Sequence, residues 1–363
     1  MRQNKDLYSN KEESPMNNIN VLAIDIAKTV FELCGVTQSG KTVLKKQLKR
    51  NKLLEYTSNL PSCIIAMEAC GGSNYWARCF KKQGHQVKLI SPQFVKPFVR
   101  GNKNDKNDAQ AIAMAAQQPS IPQVEIKEIW QQDIQSIHRM RSRLIAQRTA
   151  LVNQIRGLLA EYGVVIKKGV NSVRSELPFI LEDAENELTF LTRDIFQKLY
   201  EELGTLDKSI DWYDQKIETI FKHNELAQRL EKIPGIGKLG ATAILCVLRD
   251  TSVFKNGRHF AAFLGLVPKQ YSSGGRQKLL GISKRGDRYI RVLLIHGARA
   301  VIRFVEKRTD SKSQWIKKLI STRGKNKAAV ALANKNARII WALLAYGEPY
   351  RAEHCVAQGA ISC

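Results

Sequence analysis

The sequence predicts a mixed α/β domain followed by a mainly helical remainder. Three observations carry that expectation. Apolar runs of strand length crowd residues 19–91, two long segments with apolar residues every three or four positions fill the middle, and the charge swings from acidic to basic near Lys232.

The elements follow in chain order. The first 17 residues are polar, lack the apolar core of a signal peptide and are expected as a disordered tail, with Met16 as a second possible start. INVLAIDIAK (19–28) is a β-friendly run ending at Asp25. TVFELCGVTQSGKTVLKKQL alternates around Ser39-Gly40 and reads as a hairpin. SCIIAMEAC (62–70) is a buried strand by length and composition, followed by Gly71-Gly72 and a helix over 73–83. HQVKLIS (85–91) is a further strand. A three-strand meander followed by helix and strand in alternation matches the ribonuclease-H-like fold.

Two long amphipathic helices come next, 133–163 and 190–224, joined by a looser segment. The second carries a heptad-like stripe, so the pair is expected as an antiparallel helical hairpin or coiled coil, or as two core-packed helices. Residues 182–231 hold 13 acids against 6 bases, a net of −7, whereas 232–350 hold 24 Lys/Arg against 5 acids, a net of +19. That shift marks a domain boundary. Beyond it, Pro234-Gly235-Ile236-Gly237 lies between two helical runs and resembles a helix-hairpin-helix element. There the backbone N–H groups around Gly235, Gly237 and Lys238 would hold a phosphate. A tight turn needing positive φ is the alternative.

The formal net charge of +25 points to a polyanionic partner, with nucleic acid the default. Ribosomal or architectural proteins share such charge, but they are usually shorter and less apolar than this chain of 363 residues and 44% hydrophobic content. No apolar run approaches the roughly 18 residues of a membrane span. Seven cysteines without a CxxC pair suggest neither a disulfide framework nor a zinc site, and a reduced, cytoplasmic setting is expected.

GNKNDKNDAQAIA (101–113) places Asp105 and Asp108 on one helical face among cations. Asp25 ends the first strand and Glu68 lies near the end of the fourth. In a ribonuclease-H-like sheet these strands are neighbours, and the four carboxylates could converge. Together they would repel unless metal neutralised them, and Mg²⁺ (or Mn²⁺) suits oxygen ligands. Two such ions serve phosphodiester chemistry. Each acid also has a plainer reading: Asp25 as a turn residue, Asp105 or Asp108 as a helix cap. Lys103 and Lys106 are either phosphate contacts or a solvated charge run. YSSGGRQKLLGISKRGDRYIR (271–291) sets Ser272, Ser273 and Ser283 among Arg276, Lys278, Lys284, Arg285, Arg288 and Arg291. A serine among cations is a plausible nucleophile for phosphorus, though Ser-Gly loops are common turn chemistry.

AIDIAK, AMEACGGSNYWAR, NKNDKNDAQAIA, IPGIGKLGA and FLGLVPKQYSSGGRQKLLGISKRGDRYIRVLLIHGAR resemble, in order, the DEDD transposases of bacterial insertion sequences, a family related to the Piv invertase. The resemblance runs from about Asn18 to Tyr346. It implies a RuvC-like domain (18–128) with Asp25, Glu68, Asp105 and Asp108 as the acidic set, a coiled-coil linker (129–229), and a serine-bearing transposase domain (230–346) before a tail (347–363). It also implies Mg²⁺-dependent recombination of DNA through a phosphoserine link, with Ser273 the nucleophile and Ser272 the fallback. A composite site in a homo-oligomer (dimer or tetramer) is implied too, and in some members guidance by a structured RNA from the element. No Walker GxxxxGK[ST] sequence is present, and none is needed, since a phosphoserine ester conserves the bond energy. Two alternatives remain: a RuvC-type nuclease or junction resolvase using water, and a non-catalytic DNA-binding regulator.

Overall fold

The computed structural model describes residues 18–101, 104–248, 250–274 and 276–351. The expected N-terminal tail, Lys103, Gly275 and most of the expected C-terminal tail lie outside them. The chain divides after Glu128 into two compact units.

The first unit is a six-stranded sheet with helices on both faces. Its elements are β1 (Val21–Asp25), β2 (Val30–Val36), β3 (Thr42–Lys49), α1 (Leu53–Ser58), β4 (Ile64–Glu68), α2 (Ser73–Lys82), β5 (Gln86–Ile90), α3 (Pro92–Val95), α4 (Asp105–Ala116) and β6 (Gln123–Val124). The strand order is β3-β2-β1-β4-β5-β6. β1, β2 and β3 form the antiparallel meander, and β4 and β5 continue in parallel from β1. Alternation along the strands feeds two cores. Leu22, Ile24, Phe31, Leu33, Ile65 and Met67 bury against Trp76 and Phe80 of α2. Val21, Ala23, Cys34 and Ala66 face α4. The buried face of α4 is nearly all alanine, Ala109, Ala111, Ala113, Ala115 and Ala116 around Ile112, so its backbone lies close to the sheet. Full burial of each larger apolar side chain contributes about 1.5–3 kcal/mol.

The second unit is mainly helical. It opens with α5 (Ile129–Ala160), α6 (Val170–Glu182) and α7 (Phe190–Lys222). Arg141 pairs with Asp214, Arg148 with Asp207, and Thr192 with the Tyr162 hydroxyl, so residue numbers fall on one helix as they rise on the other and α5 and α7 are antiparallel. Phe196, Leu203, Ile210 and Ile217 recur every seven residues as the buried stripe of α7. The segment expected to be loose is instead α6, which seats Val173 and Leu177 in the same core and sends Arg174 to Asp207 at 2.7 Å.

Then follow α8 (Glu225–Glu231), α9 (Lys238–Leu245), α10 (Gly257–Phe263), a hairpin of β7 (Pro268–Ser273) and β8 (Arg276–Ile282), α11 (Arg288–Arg303), α12 (Ser311–Arg323) and α13 (Lys325–Tyr346). The helices share one core around Ile233, Phe260, Leu294, Leu332 and Ile340. The β7–β8 hairpin departs from the expected mainly helical C-terminal region and stands off that core with nearly every residue exposed. Among the described residues, no helix is long and apolar enough to cross a membrane.

Candidate active site and nucleic-acid interface

The fold brings three of the four expected acids together. Carboxylate oxygens of Asp25, Asp105 and Asp108 all lie within 4.8 Å of one another. Asp25 reaches the site because it ends β1 on the face that packs against α4, the face of Val21 and Ala23. Asp105 and Asp108 reach it from the first turn of α4. Neither caps that helix: the side chain of Asn104 accepts from the Asn107 N–H at 2.8 Å, which leaves both aspartates for the cluster. Their charges also complement the positive end of the helix.

Glu68 ends β4, the parallel neighbour of β1, and lies outside the group of mutually close oxygens. Its charge still reaches Asp25. Burial, and then the charges of Asp108, Asp105 and Glu68, push the Asp25 carboxyl up to about 6. An all-oxygen, strongly anionic donor set fits a hard divalent cation of the Mg²⁺ type. Lys106 lies exposed on the same first turn.

The serines lie at the tip of the β7–β8 hairpin. Ser273 pairs with Arg276 and Tyr271 with Lys278. Since neighbours alternate faces, Tyr271 and Ser273 share one face with Arg276 and Lys278. Ser272 faces the other way with Gln270 and Gln277, and accepts from the Gln270 side-chain amide at 2.9 Å. The hairpin is clamped at its base. The Ser283 N–H donates to the Val267 carbonyl and the Lys284 N–H to the Gly265 carbonyl. Gly286, at φ 75°, lies so close to Phe263 that a Cβ there would sit 1.8 Å from its carbonyl oxygen.

The basic residues divide. Lys284, Arg285 and Arg288 are exposed beside the hairpin base. Arg291 corrects the sequence reading: it is buried, and its guanidinium donates to the carbonyls of Leu264 at 3.0 Å and Arg285 at 2.9 Å. It holds the hairpin base and is not placed to meet a phosphate. Lys238, at the start of α9, donates to Glu218 at 2.8 Å. Gly235 has φ +93°, and a Cβ on Gly297 would sit 1.7 Å from its carbonyl oxygen. That glycine therefore serves a backbone crossing as well as the turn, whereas Gly237 is the residue preceding α9.

Sequence reasoning missed two features. One is the hairpin, although alternation around Gly274-Gly275 was the available signal. The other is a basic and aromatic cleft of the first unit, around Lys28, Arg50 and Tyr75, whose parts are scattered along the chain.

Comparison with known proteins adds the family context. A DEDD-type transposase profile of the IS110 group matches residues 22–164, and the profile of the IS116/IS110/IS902 transposase family matches residues 227–314. The chain is 47% identical to the transposase for insertion sequence element IS1111A of Coxiella burnetii, over 97% of this chain and 96% of that protein. It is 45% identical to a probable family 20 transposase of Pseudomonas aeruginosa, over 92% and 99%. A pilin gene-inverting protein of Moraxella lacunata is 24% identical over 91% of this chain and 97% of its own length.

Proposed function

Since the chain belongs to the IS110 family of insertion-sequence transposases, enzymes that cut and rejoin DNA, we propose that it does so through a serine nucleophile assisted by the acidic cluster. The observation that carries this reading is the convergence of Asp25, Asp105 and Asp108 within 4.8 Å. Glu68 completes the set from the neighbouring strand. These four carboxylates would hold Mg²⁺ or Mn²⁺, which when bound neutralises charge on the phosphoryl oxygens.

Ser273 is the nucleophile in this reading and Ser272 the fallback. Two features support the choice: Ser273 shares its face with Arg276 and Lys278, and the Ser272 hydroxyl is engaged by Gln270. The Ser273 oxygen attacks phosphorus and loses its proton to a carboxylate of the cluster or to water, while the bond from phosphorus to a deoxyribose oxygen breaks and that oxygen leaves as a hydroxyl, protonated from water or from the same carboxylate. Reversal with a different DNA end reseals the strand and frees the serine. Arg276 and Lys278 stabilise the charge that builds on the phosphoryl oxygens. Lys106, Lys284, Arg285 and Arg288 position the backbone. The turn between α8 and α9, with Gly235, Gly237 and Lys238, serves as a helix-hairpin-helix contact to DNA. Lys238 would exchange Glu218 for a phosphate.

The functional division in this reading is a catalytic domain over 18–128, a coiled-coil linker over 129–229 and a serine domain over 230–346. Acids and serine meet in a composite site of a homo-oligomer, with an RNA of the element choosing the DNA. The test is a denaturing gel of cleavage products. A protein–DNA adduct that survives denaturation and is lost in Ser273→Ala supports the serine route. Free 5′-phosphate ends formed equally well by Ser273→Ala would replace it with water-driven cutting. Sequencing the nucleic acid that co-purifies tests the RNA: one defined small transcript is expected.

A further inference from the structure

We infer that the basic and aromatic cleft on the first unit binds a phosphodiester strand and stacks one of its bases. The cavity has a volume of about 610 Å³ and is lined by Lys28, Lys49, Arg50, Tyr75, Trp76 and their neighbours, with no acidic residue among the described lining. Lys28 follows Asp25 by three residues, on the loop leaving β1. The sheet brings the other cations to it: Val30 pairs with Lys49, and the Arg50 N–H donates to the Thr29 carbonyl at 2.8 Å. The Arg50 guanidinium also donates to the Lys28 carbonyl at 3.4 Å. Three cations from two segments, the loop after β1 and the end of β3, are thus collected at one place.

The aromatic half of the cleft is organised for a flat ligand. Tyr75 is 48% exposed, and its ring meets Trp76 edge-on at 5.2 Å. Trp76 is 3% exposed and lies beneath the Arg50 guanidinium at 5.0 Å. Its indole N–H is buried with no acceptor among the described residues. Cations for phosphates beside an exposed aromatic face for a base is the combination that holds single strands. The volume falls in the range of small-ligand pockets, about 300–1,000 Å³, which suits one or two nucleotides of a single strand.

This inference rests on the reading of the acidic cluster as the cutting centre only for its consequence, the positioning of the strand to be cut. Binding itself can be measured without cutting. The full chain is irradiated with single-stranded DNA carrying 5-iododeoxyuridine and, separately, with RNA carrying 5-iodouridine, and adducts are mapped by mass spectrometry. An adduct at Tyr75, absent in Tyr75→Leu, is expected; the oligonucleotide that forms it identifies the strand as DNA or RNA. In parallel, the Lys28→Gln/Lys49→Gln variant should show a log K against log[salt] slope shallower by about 1.4, two single-strand phosphate contacts at about 0.7 each. Both sites are exposed, and an unchanged melting temperature verifies folding. Asp25→Asn should lose cutting yet keep the Tyr75 adduct, which separates failure of the cutting centre from failure of the cleft. No Tyr75 adduct with either strand, or an unchanged salt slope in the double variant, overturns the inference.

Discussion

Lowering the pH from 7.5 to 5.5 should destabilise the second unit through one residue, His138. It is 2% exposed on α5, and burial, reinforced by the nearby Arg141 charge, pushes its imidazole down to about 4 from an ordinary 6.5. Its two nitrogens tie α5 to two other helices, Nε2 to the Thr242 hydroxyl of α9 at 3.1 Å and Nδ1 to the Tyr289 hydroxyl of α11 at 3.0 Å. The Thr242 hydroxyl donates to the Lys238 carbonyl, so Nε2 carries the proton and Nδ1 accepts from Tyr289. A second proton would land on Nδ1, against the Tyr289 O–H and near Arg141. The Asp214 carboxylate that could compensate is already bonded to Arg141, while Asp287 caps α11.

A folded pKa below the unfolded one means that the unfolded chain binds more protons between about 4 and 6.5. Stability is therefore complete above that window and falls as pH falls through it. With these two values, the loss between pH 7.5 and 5.5 is on the order of 1 kcal/mol, severalfold in the folding equilibrium. Guanidinium unfolding followed by tryptophan fluorescence reads it, since Trp130, Trp212, Trp315 and Trp341 all belong to this unit. His138→Gln cannot titrate, so its stability should change less than that of wild type over the same interval, by a difference on the order of 1 kcal/mol. Parallel changes in the two proteins would refute the assignment.

Further predictions follow from other sites. Asp207 accepts from Arg148 at 2.9 Å and Arg174 at 2.7 Å, and although burial works to raise its carboxyl, these partners hold it below the usual range. Asp207→Asn should cost about 1–3 kcal/mol in denaturant unfolding, because two guanidinium groups lose their counter-charge. Gly297→Ala should cost about 1–3 kcal/mol or more, since its Cβ would sit 1.7 Å from the Gly235 carbonyl oxygen; an unchanged melting temperature would rule out that crossing. Chelation of divalent ions should abolish strand cutting, and Asp108→Asn should lower it by more than tenfold at saturating DNA, as measured on gels. DNA affinity should fall steeply between about 50 and 200 mM salt, given a net of +19 over residues 232–350.

Strands β1, β2, β4 and β5 were legible as short apolar runs bounded by turn residues and β3 as the polar half of a hairpin, whereas the two-residue β6 carries no sequence signal and exists only by pairing with β5. The α4 aspartates were legible because two acids three apart need only helical periodicity to share a face. The long helices could be read from their stripes. Segment 170–182 could not, since Gly169 and an internal Pro178 read as breakers while its helical state depends on packing between α5 and α7.

Local pattern, then, determined the α/β class, the pair of long amphipathic helices, the basic C-terminal region and the placing of Asp105 and Asp108 on one helical face. Tertiary structure alone decided that Asn104 takes the cap and releases Asp105 and Asp108, that Arg291 spends its guanidinium on backbone carbonyls, and that Ser273 and Ser272 face opposite ways. It also gathered Lys28, Lys49, Arg50 and Tyr75 into one cleft. The reason is physical: periodicity along a chain encodes which face is apolar, but which polar group meets which depends on strand register and helix docking, and those are set by the whole core at once.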